Sequence, residues 1–169
     1  MKNVNKTHIE TTKREFILER VFNAPRELVF EAYSDCSHLK HWWGPREWPL
    51  TVCEMDFRVG GIWHYCMSGP DGQESWGKAI YHDIKEPDKI VYDDFFSDKE
   101  GNISDSMPEI KITVEFIDHD GKTKIRSKSI FKTEAELKKV IEMGMAEGIT
   151  ETYDRLDEHL SQYESGVKK

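Results

Sequence analysis

Residues 133–163, TEAELKKVIEMGMAEGITETYDRLDEHLSQY, decide the fold. Leu137, Val140, Ile141, Met145, Ile149, Tyr153, Leu156, Leu160 and Tyr163 recur every three or four positions, so on a helix they form one apolar stripe. Thr133 with Glu136 predicts a capping box, in which each residue satisfies an orphan N–H of the other. A single helix over this span is roughly 45 Å long and crosses an entire sheet. The stripe must pack on something. Lys138, Lys139, Glu142, Glu147, Glu151 and Glu158 read as its solvated face. Gly144 and Gly148 lie on or beside the stripe, where each costs about 1 kcal/mol relative to alanine, and close packing or room for a guest explains them.

The partner of that stripe is a sheet. From Leu50 to Phe131 the hydrophobic period is two, clearest where Ile110, Ile112, Val114 and Phe116 alternate with Lys111, Thr113 and Glu115. The breaks carry turn chemistry: Gly60-Gly61, Gly69-Pro70-Asp71-Gly72, Glu86-Pro87-Asp88-Lys89 and Asp120-Gly121. An antiparallel meander follows, with Ser97–Pro108 as an acidic loop. Upstream, Arg14–Phe22 alternates as a half-exposed strand that Asn23-Ala24-Pro25 ends. Leu28, Val29, Ala32 and Tyr33 then take helical spacing, and Asp35 caps a second helix carrying Leu39, Trp42 and Trp43 up to Gly44-Pro45. The expected organisation is a loose tail over 1–12, one α+β domain over 13–163, and a short tail over 164–169.

The 169 residues suit one core. A formal charge of −8, with basic residues scattered among acids, argues against nucleic acid and anionic lipid surfaces as partners. No apolar run approaches the ~20 residues of a bilayer span, so no stable membrane insertion is expected, and Met1–Lys13 is too polar for a secretory signal; the reading is cytoplasmic. Cys36, Cys53 and Cys66 lack CxxC spacing, which argues against a disulfide framework or zinc ribbon and reads as reduced packing thiols.

All five tryptophans, Trp42, Trp43, Trp48, Trp63 and Trp76, fall between residues 42 and 76. Strand alternation puts Trp63, Tyr65 and Met67 on one face and Ile62, His64 and Cys66 on the other, and one of these sets faces the long helix. Trp76, Phe95 and Phe96 on later strands, with Trp43 and Trp48 beside the sheet, complete an aromatic rim, while Met145, Ile149 and Tyr153 approach from the helix. A solid core and a ligand cavity both fit such a cluster. In the cavity reading His64, Arg126, Ser127 and Tyr153 are the polar handles and Trp63 is the foremost wall residue.

The runs Asn23-Ala24-Pro25-Arg26-Glu27-Leu28-Val29-Phe30-Glu31-Ala32-Tyr33, His41-Trp42-Trp43-Gly44-Pro45 and Asp56-Phe57-Arg58-Val59-Gly60-Gly61-Ile62-Trp63 resemble the activator-of-heat-shock-protein-90-ATPase-like branch of the START-like (SRPBCC) superfamily. Gly148-Ile149-Thr150-Glu151-Thr152-Tyr153-Asp154-Arg155-Leu156 is similar to that branch's closing-helix motif, with isoleucine where tryptophan is frequent. The resemblance spans about Lys13–Tyr163. It implies a helix-grip fold: a curved antiparallel sheet wrapped around a long C-terminal helix, with two short helices after the first strand. It also implies a cavity that in relatives holds lipids, sterols, polyketides or aromatic metabolites, and it admits a chaperone as partner.

Catalytic and metal chemistry is thinly encoded. There is no GxSxG, phosphate-cradling glycine loop or HExxH, and His64 with Cys53 or Cys66 is an unmatched nucleophile and base. His38 with His41, or His64 with Cys66, offers two metal ligands without a third. The Asp56–Gly61 run reads as a hairpin in which Arg58 bridges Asp56 or another acid at the rim. No metal, cofactor or catalytic residue is assigned, and the sequence admits a homodimer. The expected function is binding of an apolar or aromatic small molecule. The alternatives are a chaperone-ATPase-stimulating module and an enzyme acting on a cavity-bound hydrophobic metabolite.

Overall fold

Alternation from Leu50 onward builds six consecutive hairpin-linked strands. The computed structural model, which describes residues 7–164, runs β1 (His8–Thr11), β2 (Glu15–Phe22), α1 (Arg26–Ser34), α2 (Cys36–Trp42), β3 (Leu50–Met55), β4 (Ile62–Ser68), β5 (Glu74–Lys85), β6 (Lys89–Ser97), β7 (Ile110–His119), β8 (Lys122–Ile130), α3 (Glu134–Glu142) and α4 (Met145–Glu164). The strands form one antiparallel sheet in the order β1-β2-β8-β7-β6-β5-β4-β3. Register shifts at Leu50/Val52 and Tyr81/Asp83 insert extra residues, which bend the strands that carry them. This is the expected helix-grip architecture. The paired glycines do what the hairpin reading required: Gly60 takes φ +85°, and a Cβ on Gly61 would lie 2.0 Å from the Asp56 carbonyl oxygen. Arg58 bridges Asp56 at 2.8 Å.

The cross-strand register fixes the inner face. Trp63, Ala79 and Asp94 stand in one row, as do Phe22 and Thr123, and Val114, Ser127 and Leu18. Against this face pack Leu156, Leu160 and Tyr153 of α4, all buried, with Tyr153 edge-on to Phe22. Arg20 also points inward. Its guanidinium reaches Asp154 at 2.7 Å and Asp157 at 3.4 Å, tying β2 to α4.

Several expectations need correction. His8–Thr11, assigned to a loose tail, pairs with Phe16–Glu19 as the edge strand β1, because its backbone completes the unpaired side of β2. Residues 1–6 and 165–169 of the expected tails lie outside the described residues. The two short helices thus follow the second strand. The closing helix is not continuous either: α3 stops at Glu142 and α4 restarts at Met145, because Gly144 adopts φ +97°, a left-handed conformation that closes a helix. Of the capping box, Thr133 accepts from the Glu136 N–H at 3.1 Å, whereas Glu136 Oε1 is buried without a partner.

Finally, Cys36 and Cys53 are not reduced thiols. They form a disulfide between α2 and β3 across a Cα separation of 6.0 Å, within ordinary disulfide geometry, and only Cys66 is free and buried. Among the described residues no helix is long and apolar enough to cross a membrane.

α2 and α4 are also joined by imidazoles. His38 Nδ1 and His159 Nε2 lie 2.9 Å apart, and His41 stacks on His159 at 5.4 Å. Burial, then the neighbouring His38 and His41, pull His159 down to about 4 from the ordinary 6.5. The unfolded chain therefore takes up the proton first, and this contribution to stability is complete above about pH 6.5 and fades as pH falls toward 4. Acidification through that window should cost on the order of 1 kcal/mol after solvent screening, a Tm loss of about 2–4 °C. His159→Gln should flatten that part of the Tm-against-pH profile; an unchanged slope would show that the ring titrates normally.

Candidate functional site

The site begins where α2 ends. Gly44 takes φ +94°, and a Cβ there would meet the Trp48 carbonyl oxygen at 2.4 Å, so only glycine allows the turn that follows Trp43. α4 then holds this turn from the other side. Arg155 donates to the carbonyls of Gly44 at 2.7 Å, Trp43 at 3.2 Å and His41 at 3.1 Å, satisfying helix-terminal acceptors that would otherwise be orphaned. Glu151 accepts from the Arg46 N–H at 2.9 Å, and Glu158 pairs with the Arg46 guanidinium. Trp43 is thereby presented to the space between sheet and closing helices.

One chamber opens there and a second opens over strands β4 to β7, and the two share Trp43 and Met67 as walls. The larger, about 310 Å³, is bounded by Tyr33, Gly44 and Pro45 on one side and by Val140, Met143, Gly144, Met145, Gly148, Ile149, Thr152 and Tyr153 on the other. The break in the helix is thus part of its wall. Gly148 contributes empty room rather than a tight contact, since a Cβ there would meet only Pro45, at 3.5 Å. The smaller chamber, about 200 Å³, is bounded by Tyr65, Ser75, Trp76, Gly77, Asp94, Phe95, Phe96 and Ile110 as well as the shared pair.

Of the residues expected from sequence, Trp43, Met67, Met145, Ile149 and Tyr153 line the larger chamber, and Tyr65, Trp76 and Phe95 border the smaller. Trp63, whose face alternation left open, lies on the inner face but is buried core rather than a chamber wall, 4.8 Å from Trp43 and 4.3 Å from Tyr65 between ring centroids. Ser127 is buried behind the larger chamber, hydrogen-bonded to Tyr153. Trp48 packs on Gly69 instead. His64 faces away, with Nε2 3.0 Å from the Asp98 carbonyl oxygen and its ring 5.0 Å from Trp76. Arg126 sits on the outer face with Glu19 and Glu115.

Sequence reasoning missed Tyr33, Val140, Thr152 and, above all, Asp94. A signal existed: Ile90 and Tyr92 set the inward phase of β6, and Asp94 is next in that phase. The Tyr65 hydroxyl lies 2.9 and 3.1 Å from the two Asp94 carboxylate oxygens. Gly77, on the strand between, makes this reach feasible, because a Cβ there would sit 2.4 Å from the Tyr65 ring. Burial pushes the Asp94 carboxyl up to about 7, opposed by the hydrogen bonds from Tyr65 and the Phe95 N–H. The Tyr33 and Tyr153 hydroxyls meet at 2.5 Å. Burial raises both phenols, Tyr153 to about 12, as it raises Tyr65 and Tyr92. At neutral pH the phenols are uncharged hydrogen-bonding groups, whereas the Asp94 carboxyl, at about 7, changes its charge near neutrality.

Nucleophilic chemistry finds no support in Cys53, whose sulfur is bonded to Cys36. Among the described residues no three His, Cys, Asp or Glu side chains converge as a metal site.

Fold and site together define a helix-grip module with an apolar chamber between sheet and closing helices and a smaller one beside it over the sheet. The family described as Activator of Hsp90 ATPase homolog 1-like protein matches residues 23–161, and the chain belongs to it. A protein from Arthrobacter aurescens, solved by solution NMR, is 32% identical with a TM-score of 0.86 over 92% of this chain and 91% of that one. One from Staphylococcus epidermidis is 33% identical with a TM-score of 0.81 over 91% and 93%. The AHSA1 protein from Silicibacter pomeroyi, 20% identical with a TM-score of 0.69 over 88% and 98%, shares the fold. No curated protein matches the chain.

Proposed function

We propose that this protein binds an apolar or aromatic small molecule between its sheet and closing helices. The observation that carries the reading is the larger chamber: about 310 Å³, walled by Trp43, Pro45, Met67, Val140, Met145 and Ile149, with the polar Tyr33–Tyr153 pair and Thr152 set into it. That combination, apolar walls with a few placed polar groups at the lower end of the usual pocket size, suits a compact ring system better than a long acyl chain. Among the lipid, sterol, polyketide and flavonoid-like classes, small aromatic polyketide- or flavonoid-like guests are favoured. Burial of the guest would supply roughly 25 cal/mol per Å² of apolar surface.

A guest that binds only the folded state raises Tm, by the equivalent of about 2.7 kcal/mol at a hundredfold excess over Kd. Because Trp43 borders both chambers, the same guest should quench or shift tryptophan fluorescence saturably. Trp43→Ala should weaken binding at least about tenfold in a protein that still folds, since this ring is only half-buried. A broad panel of lipids, sterols and flavonoid-like aromatics giving neither signal would refute the reading. The family description names an ATPase activator, and saturable stimulation of a heat-shock-protein-90 ATPase by the isolated protein would put the interaction module first.

A further inference from the structure

Asp94, Tyr65 and Gly77 come from three adjacent strands and meet at the smaller chamber. Glycine on the middle strand lets the Tyr65 ring cross it, and the phenol then reaches the carboxylate on the far strand. Two donors, the Tyr65 hydroxyl and the Phe95 N–H, occupy part of the acceptor capacity of Asp94, and a carboxylate has about four lone-pair sites. Neither lysine nor arginine borders this chamber. The carboxylate therefore has hydrogen bonds but no countercharge. Around it stand aromatic surfaces, Trp43, Phe95 and Phe96, a setting that favours a cation over a neutral group.

We infer that the smaller chamber is a subsite for a protonated amine, so that the ligand is an aromatic or apolar amine whose ammonium pairs with Asp94 while its ring occupies the apolar walls. This rests on the small-molecule reading above, keeps its compact ring, and departs from the polyketide- and flavonoid-like classes by requiring a basic nitrogen. A neutral guest leaves Asp94 unpaired in an apolar site, and an anionic guest meets like charge, so both are disfavoured there. The titratable groups facing Asp94 are Tyr65 from β4, Tyr81 from β5 and Tyr92 from β6, all raised by burial. Trp43 from the turn after α2 and Ile110 from β7 complete the wall without titrating. With the carboxyl at about 7, the site gains its charge as pH rises through neutrality.

Calorimetric titration with phenethylamine, 2-phenylethanol and phenylacetate tests this on the intact protein. The amine is expected to bind at least about tenfold more tightly than the alcohol, and the acid most weakly. Amine affinity should rise on the order of tenfold between about pH 5.5 and about pH 8.5, across which the amine stays protonated, while alcohol affinity stays flat. Asp94→Asn should erase the preference for amine over alcohol. Tyr65→Phe, which removes a donor that lowers the carboxyl, should move the midpoint of the amine profile upward. Amine and alcohol binding equally, a flat amine profile, or a preference that survives Asp94→Asn overturns the amine subsite and leaves the apolar-chamber reading intact. Failure of all three probes overturns the subsite, and failure of the wider panel as well brings down the small-molecule reading.

Discussion

Trp42→Ala should lower the unfolding free energy by about 3–5 kcal/mol, a large part of the total of a domain this size. Trp42 is fully buried, and its ring lies against Tyr33 at 4.9 Å and Trp43 at 5.4 Å. Its indole N–H also donates to the Ala32 carbonyl at 3.0 Å. Ala32 is among the last four residues of α1, whose carbonyls lack helical partners, so the substitution leaves both a cavity and an unsatisfied buried acceptor. Trp42→Phe keeps much of the packing and should lose about 1–3 kcal/mol. Denaturant midpoints measure both. A loss under about 1 kcal/mol for alanine would mean that the core closes over the gap.

Reduction of the Cys36–Cys53 bond should cost about 3 kcal/mol, because its sequence separation of 17 sets the loop that the bond holds closed in the unfolded chain. The measurement is a denaturation curve with and without reductant. The double variant Cys36→Ala, Cys53→Ala should behave like the reduced protein and ignore reductant; equal midpoints for oxidised and reduced wild type would contradict the loop-closure account. The loop contains Trp42, Trp43 and Trp48, so its loosening should also be visible in tryptophan emission.

What the sequence revealed, and what it hid, follows from the range of the forces involved. Alternation in Ile110–Phe116 and the glycine turns are local, and they placed the meander within a few residues. The apolar stripe likewise found both closing helices, but not their break. Gly144 and Gly148 cost a helix the same by propensity, and only the structure distinguishes the one at φ +97° from the one inside α4. The Cys36–Cys53 pair was invisible because it depends on where α2 lies against β3, a tertiary fact with no spacing rule. In the site, the helix side and Trp43 were legible. Trp63 showed the limit of period two, which sorts rings onto two faces but cannot say which face is inward or whether a ring there meets open space or another ring. Asp94 was overlooked beside Asp93 because a carboxylate in a strand is ordinarily assigned to water.

The strand order has a consequence for how the chain acquires its structure. β3 to β8 are each joined to the next in sequence, so those ladders can form from neighbouring segments as they emerge. The ladder between β2 and β8 is different: Glu15 pairs with Ile130 and Phe22 with Thr123, contacts that close a loop of about two thirds of the chain. Closing so long a loop is entropically opposed until other contacts hold the ends near one another, which slows folding relative to a helical protein of equal size. During synthesis the inner face of β2, with Phe16, Leu18 and Phe22, must therefore wait uncovered until the last third of the polypeptide arrives.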